Sequence, residues 1–286
     1  MAATTAEGGN VYKPRLFHIF RNTPFGRESL LQSIHFCKLL ECSIEIYIPQ
    51  STRFLMYFEN DVTQVDLDSS YLTAPDTARE HALDLVTQAG LTPEFFEPKN
   101  YTASTLPDIP TDYDFMCCPR SISDLSSKIG LGYIGPRVRK IVQSAHFPVI
   151  ITNGVFKPWT SIAVFFGGSI NAVKSLKLGL RIARKIGFGL NLITQVEHRK
   201  ADHYERIIKE NHLQAEVDQH VQHWFRFESN NLEENLYAIP HDALAVLGAY
   251  GHGLIKEIVF GSKMEKIQST IPNNLLIVGP NFTSVV

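Results

Sequence analysis

Long apolar runs are missing from this chain. None approaches the roughly 20 residues that a membrane-crossing helix needs, so a bilayer span is not expected. The first ten residues also lack the basic-then-apolar layout of a secretory signal, and a cytoplasmic protein is the expectation. Charge of one sign is missing as well. The formal net charge is −2, which gives no electrostatic reason to expect nucleic acid or an acidic membrane as partner. Arg137, Arg139 and Lys140 cluster locally and read as a solvated helix face. Cysteine is scarce, and none of the four falls in a C-x-x-C arrangement. Cys37, Cys42, Cys117 and Cys118 read as buried reduced thiols, with Cys117 and Cys118 on opposite sides of one strand. A G-x4-G-K-[ST] phosphate loop is absent, because Gly261-Ser262-Lys263 has the wrong order. No Ser-His-Asp or Cys-His set can be assigned, and no catalytic residue is named.

What is present is the composition of a globular α/β protein. At 44% hydrophobic and 20% charged, 286 residues can fill the cores of two ordinary domains. The second half reads most clearly. SIAVFF at 161–166 is a continuous apolar run, the mark of a strand buried on both faces. Gly167, Gly168 and Ser169 break it. A helix follows from about Asn171, with Val173, Leu176, Leu180 and Ala183 on one stripe and Gly187 as its C-cap. Strands are predicted over 190–196, 221–228, 242–247 and 274–278, and helices over 201–214, 231–239 and 262–270. Strands alternating with helices imply parallel pairing through right-handed crossovers.

The first half repeats this order less cleanly. Strands are predicted over 15–20, 43–48, 114–118 and 149–152, and helices over 29–40 and 77–89. Gly135, Lys140 and Ile141 align at a constant offset with Gly261, Lys266 and Ile267. Extra residues are expected near 50–75. The boundary is placed at 154, giving domains 1–154 and 155–286, and the short joining segment 153–158 implies that they pack together.

The strand over 242–247 runs into Gly248-Ala-Tyr-Gly251, nine further residues, then Gly261-Ser262. At the carboxyl end of a parallel strand, where open α/β sheets bind ligands, glycines let backbone N–H groups approach an anion. A helix starting at Gly261-Ser262 would add its own unpaired N–H groups and dipole. The plainer alternative is that these glycines only form turns and a cap. This G-x2-G-x9-G-S pattern, after a strand of the type D-A-L-A-V-L-G, resembles the nucleotide-binding signature of the universal stress protein family. The resemblance covers the second half in motif and the first half in layout alone, so the chain looks like a tandem universal stress protein.

That resemblance implies two five-stranded parallel sheets of order 3-2-1-4-5 with helices on both faces, their final strands meeting as an intrachain pseudo-dimer. It implies ATP, ADP or AMP bound in the second half, with magnesium entering only alongside the phosphates. Gly248, Gly251, Gly253, Gly261 and Ser262 would surround the phosphates, and Gly167, Gly168 and Ser169 would lie in the loop that meets the base. The family usually opens that loop with an aspartate. Gly167 stands there instead, and a plain turn with Ser169 or Asn171 as N-cap is the competing reading. The first half has no signature: its fourth strand ends at Cys118-Pro119-Arg120, and Pro136 matches Ser262. No nucleotide is expected there.

Five histidines (His198, His203, His212, His220, His223) share one stretch, but no ligand spacing repeats, and no metal is assigned. The expected function is a stress-response or regulatory protein carrying an adenine nucleotide as a bound signal. Two alternatives stand: a scaffold of the same fold without nucleotide, and a slow ATPase or adenylate-using enzyme. A homodimer is compatible with the sequence.

Overall fold

The computed structural model describes residues 12–59, 61–98, 106–122, 134–196, 202–228, 232–249 and 271–283. The first half contributes β1 (Arg15–Ile19), α1 (Pro24–Leu40), β2 (Ser43–Tyr47), β3 (Arg53–Phe58), β4 (Asp61–Asp66), a 3-10 turn (Ser69–Leu72) and α2 (Pro75–Gln88). It continues through β5 (Pro93–Phe96), β6 (Asp108–Ile109), β7 (Phe115–Pro119), α3 (Pro136–Ser144) and β8 (Val149–Thr152). The second half runs β9 (Ser161–Phe165), α4 (Ile170–Ile186), β10 (Leu190–Gln195), α5 (Asp202–Glu210), α6 (Gln214–His220) and β11 (Val221–Phe227). It ends with α7 (Leu232–Leu236), β12 (Ala243–Gly248) and β13 (Leu275–Val278).

One sheet runs through both halves in the order β11-β10-β9-β12-β13-β8-β7-β1-β2-β5. Every pairing in it is parallel except the central one, where β13 and β8 run antiparallel with Leu276 opposite Ile150. Counted from either end, each half has the order 3-2-1-4-5.

The two faces of this sheet are filled by different elements. Helices α1, α2, α4, α5 and α6 supply Leu30, Ala82, Leu176, Ile208 and Val217 to one apolar cluster. The other face carries α7, α3 and, against α3, a small sheet of order β4-β3-β6; Phe54, Met56, Val65, Ile141 and Leu236 belong to its cluster. Cys117 belongs to the first cluster and Cys118 to the second, as alternation along β7 requires. All four cysteines are buried and unbridged.

Several elements differ from expectation or give it detail. Helix α1 starts at Pro24 rather than 29, because the Thr23 hydroxyl accepts the Gly26 N–H at 3.2 Å and Pro24 suits the first turn. The predicted helix 201–214 ends at Glu210 and a second, α6, begins at Gln214, with His212 at a φ of 58° between them. The extra residues near 50–75 form the β3–β4 hairpin, whose carboxylates meet the basic face of α3: Arg137 reaches Asp66 and Lys140 reaches Asp61, both at 2.6 Å. The predicted helix 262–270 lies outside the described residues.

Buried polar contacts join the halves. The segment after β8 is held by Asn153, which donates to the Pro272 carbonyl at 2.7 Å, and Gln32 of α1 donates to the Lys157 carbonyl. Arg120, just beyond β7, donates across the sheet to the carbonyls of Ile271 and Asn273 at 3.5 and 3.3 Å. Burial pulls its pKa down to about 10, so at neutral pH it stays charged.

His18 in β1 is fully buried, with Nδ1 2.8 Å from the Ser33 hydroxyl. Desolvation holds its pKa down to about 3, against about 6.5 in an unfolded chain. The neutral ring therefore contributes stability that is complete above about pH 6.5 and is lost as pH falls toward the folded value. Across that window this one site makes the unfolding equilibrium about tenfold less favourable to the native state per pH unit. Denaturant titrations at several pH values should show a shallower acid slope, by one proton, for His18→Gln than for wild type. Equal slopes would contradict this account of His18.

Candidate functional site

In an open parallel sheet a ligand crevice forms where the strand order reverses. In the second half that point lies between β9 and β12. Val164 pairs with Val246 there, so two residues further on Phe166 stands level with Gly248. The loop after β9 and the start of the glycine signature thus emerge side by side.

Gly248 ends β12 against the first turn of α4. A Cβ at this position would lie 2.5 Å from the carbonyl carbon and oxygen of Asn171 and 2.9 Å from the Ala172 nitrogen. Only a residue without a side chain lets the strand end this close to the helix start. Asn171 then locks the arrangement, its Nδ2 donating to the Ala249 carbonyl at 2.6 Å. It is Ser169 that caps α4, its hydroxyl accepting the Ala172 N–H at 3.2 Å. So of the two N-cap readings Ser169 is the one realised, and Asn171 ties helix to strand.

Gly168 has a φ of 74°, in the left-handed region that favours glycine. Helix α5 packs over it: a Cβ there would sit 2.7 Å from Ile207 Cδ1, 3.6 Å from Tyr204 Cδ1 and 3.7 Å from His203 Nε2. Gly167 and Ser169, like Gly168, are partly exposed. Gly251, Gly253, Gly261 and Ser262 lie outside the described residues.

A second set of contacts stiffens the neighbouring strand ends. The Thr194 hydroxyl donates to the Phe166 carbonyl at 3.0 Å and accepts Trp224 Nε1–H at 2.9 Å. Gln195 donates to the Phe227 carbonyl and accepts from Asn235 of α7. Tyr204 donates to the Gln195 carbonyl at 3.3 Å. Sequence reasoning singled out neither Tyr204, Ile207, Gln195 nor Asn235 for this region. Only His203 had been marked, as part of the histidine stretch, and its neighbours are now Gly168 and Tyr204. His212, His220 and His223 stand on a turn, on α6 and on β11; among the described residues no three metal-ligating side chains converge.

The first half has the same crevice, between β1 and β7, with different contents. The chain segment after β4 crosses it: the Asp68 N–H donates to the Ile122 carbonyl beyond β7 at 3.0 Å, and its carboxylate meets Arg21 beyond β1 at 3.4 Å.

No protein-family model matches the sequence, and no curated protein matches it. Solved structures do match in fold. A universal stress protein from Archaeoglobus fulgidus DSM 4304 superposes with a TM-score of 0.60 at 13% identity, over 93% of this chain and 98% of that one. A provisionally assigned universal stress protein from Pseudomonas aeruginosa UCBPP-PA14 gives 0.53 at 13% identity, over 94% of each chain. The cytoplasmic domain of a prokaryotic cation chloride cotransporter gives 0.50 at 8% identity, over 93% of this chain and 95% of that one. No described helix is long and apolar enough to cross a membrane.

Proposed function

We propose that this chain, which carries the fold of universal stress proteins over nearly its whole length, is a stress-response or regulatory protein that binds ATP or a related adenine nucleotide in its C-terminal half. The observation that carries the reading is the place of Gly248. It stands at the carboxyl end of β12, against the start of α4, at the point where the strand order reverses. The G-x2-G-x9-G-S signature thus departs from the one crevice of that half in which a phosphate group is expected. In this reading the halves divide near residue 154 and act as a pseudo-dimer, with nucleotide in one of them. Magnesium would accompany the phosphates, and the nucleotide would serve as a bound signal with at most slow hydrolysis.

A second reading, a scaffold of the same fold without nucleotide, is favoured by the loop after β9. Gly167 replaces the aspartate of the resembling family, Ile207 of α5 approaches Gly168 closely, and the Ser169 hydroxyl is engaged as a cap. The cotransporter domain shows this fold serving as part of a membrane transporter.

Calorimetric titration of ATP with magnesium into wild type and Gly251→Val separates the two. Saturable binding in wild type, weakened at least tenfold in the variant, is the expected result. Absence of heat in both selects the scaffold. Mass spectrometry of the protein as purified gives an independent check, through any nucleotide carried along.

A further inference from the structure

The two halves leave a gap between them on the face that carries α1 and α4. A cavity of about 150 Å³ lies there, where the end of α1 and the starts of β2 and β7 meet the later turns of α4. Leu40, Cys42 and Phe115 line it from the first half. Leu178, Ile182 and Phe282 line it from the second, and all of these but Phe115 are buried. Both walls are held in place from behind. The Cys42 N–H donates to the Cys37 carbonyl at 3.0 Å, just past the left-handed Glu41 that caps α1. Lys174 of α4 donates to the carbonyls of Pro280 and Phe282 at 3.0 and 2.8 Å, which fixes the segment after β13.

The polar side chains around the cavity are already engaged. The Tyr12 hydroxyl donates to Asp114 at 2.6 Å, and the Arg15 N–H donates to the same carboxylate at 2.8 Å. Lys185 reaches Glu41 at 2.9 Å, and Arg181 is engaged as well. An ionic ligand would have to break these pairs, whereas a neutral apolar one leaves them in place. Water is a poor occupant, because an ordered water needs several polar partners and the six walls are hydrocarbon apart from one thiol. A helix or strand of another protein is too wide for the space. An apolar cavity of this volume holds about one six-membered ring.

We infer that this cavity is a binding site for a small, neutral, apolar molecule of about one aromatic ring, held jointly by the two halves. Such a ligand touches the first half through Phe115 and the second through Leu178. It therefore binds the docked arrangement of the halves and strengthens it. The site shares no residue with the crevice between β9 and β12, and the inference does not depend on nucleotide binding there.

The test uses toluene as the probe. Titrated into the full chain and followed by ligand-observed NMR, toluene should bind wild type saturably. Leu178→Phe and Cys42→Leu each add atoms to the cavity and should weaken that binding at least tenfold. With toluene at about ten times its wild-type dissociation constant, the wild-type unfolding midpoint should rise by about 2 °C. The midpoints of the filled variants should move by less than about 1 °C. Wild type that shows no saturable binding would overturn the proposal, as would filled variants that bind toluene like wild type. Should neither variant fold, crystals of wild type under xenon pressure decide: density between Phe115 and Leu178 supports the site, and its absence counts against it.

Discussion

Gly248→Val should unfold at a midpoint roughly 5 °C below wild type and should bind no ATP. The first effect follows from geometry. The new Cβ would meet backbone atoms of Asn171 and Ala172 at 2.5–2.9 Å, and a backbone cannot swing aside as a side-chain tip can. Either β12 retreats or the first turn of α4 frays, and both break the Asn171–Ala249 bond. Overpacking of this kind costs about 3 kcal/mol, the upper end of its usual range. Gly187→Ala is the control. Gly187 has a φ of 72° but open space around it, so the cost there is the left-handed conformation alone, about 1 kcal/mol. Differential scanning calorimetry of the pair decides the matter: if both lose the same few degrees, steric contact with α4 is not what Gly248 provides. A Gly248→Val protein that unfolds early yet binds ATP like wild type would remove the phosphate role while leaving the packing role intact.

Arg120→Met should have the second large effect. The guanidinium is buried, and its loss leaves the carbonyls of Ile271 and Asn273, in the segment just before β13, without that donor. Hydrogen bonds to charged groups contribute about 1.5–3 kcal/mol each. At 3.3 and 3.5 Å these two belong at the lower end, for a combined loss of about 3 kcal/mol. The consequence extends beyond a lower midpoint. Residues 271–274 form the strap between the halves, where Asn273 also donates to Pro240 and Ala243 and Asn274 accepts from the Asn153 N–H. Loosening this strap should split the calorimetric transition into two. A single transition at the wild-type midpoint would mean that Arg120 does not couple the halves.

Which features could be read from the sequence depended on how local their cause was. Helix α4 was legible because Val173, Leu176, Leu180 and Ala183 repeat at helical steps and all four are buried. Its Gly187 cap was legible for the same reason: a left-handed residue after a periodic stripe is a local event. Strand β5 escaped, since Pro93-Glu-Phe-Phe96 is four residues long and opens on a proline. The β3–β4 hairpin did carry a two-residue rhythm, with Phe54, Met56 and Phe58 buried on one side. It has no counterpart in the second half, so against the internal repeat it reads as an insertion.

The site divides along the same line. That Gly248 ends a buried strand follows from six neighbouring residues. That its missing side chain makes room for Asn171, or that Ile207 covers Gly168, depends on residues brought together only by the fold. The Arg21–Asp68 contact belongs to the second kind and could not have been found by spacing.

The antiparallel seam between β8 and β13 also limits assembly. Each half, alone, would present its fifth strand as a row of unpaired amides and carbonyls, a surface that recruits another strand. Here each closes the other. Among the described residues, β5 and β11 stand unpaired on one side, at opposite extremes of the ten-stranded sheet. Within the ten-stranded sheet, strand addition by a partner would use those extremes, and an assembly that spares them would use the faces covered by the helices and by the small β4-β3-β6 sheet.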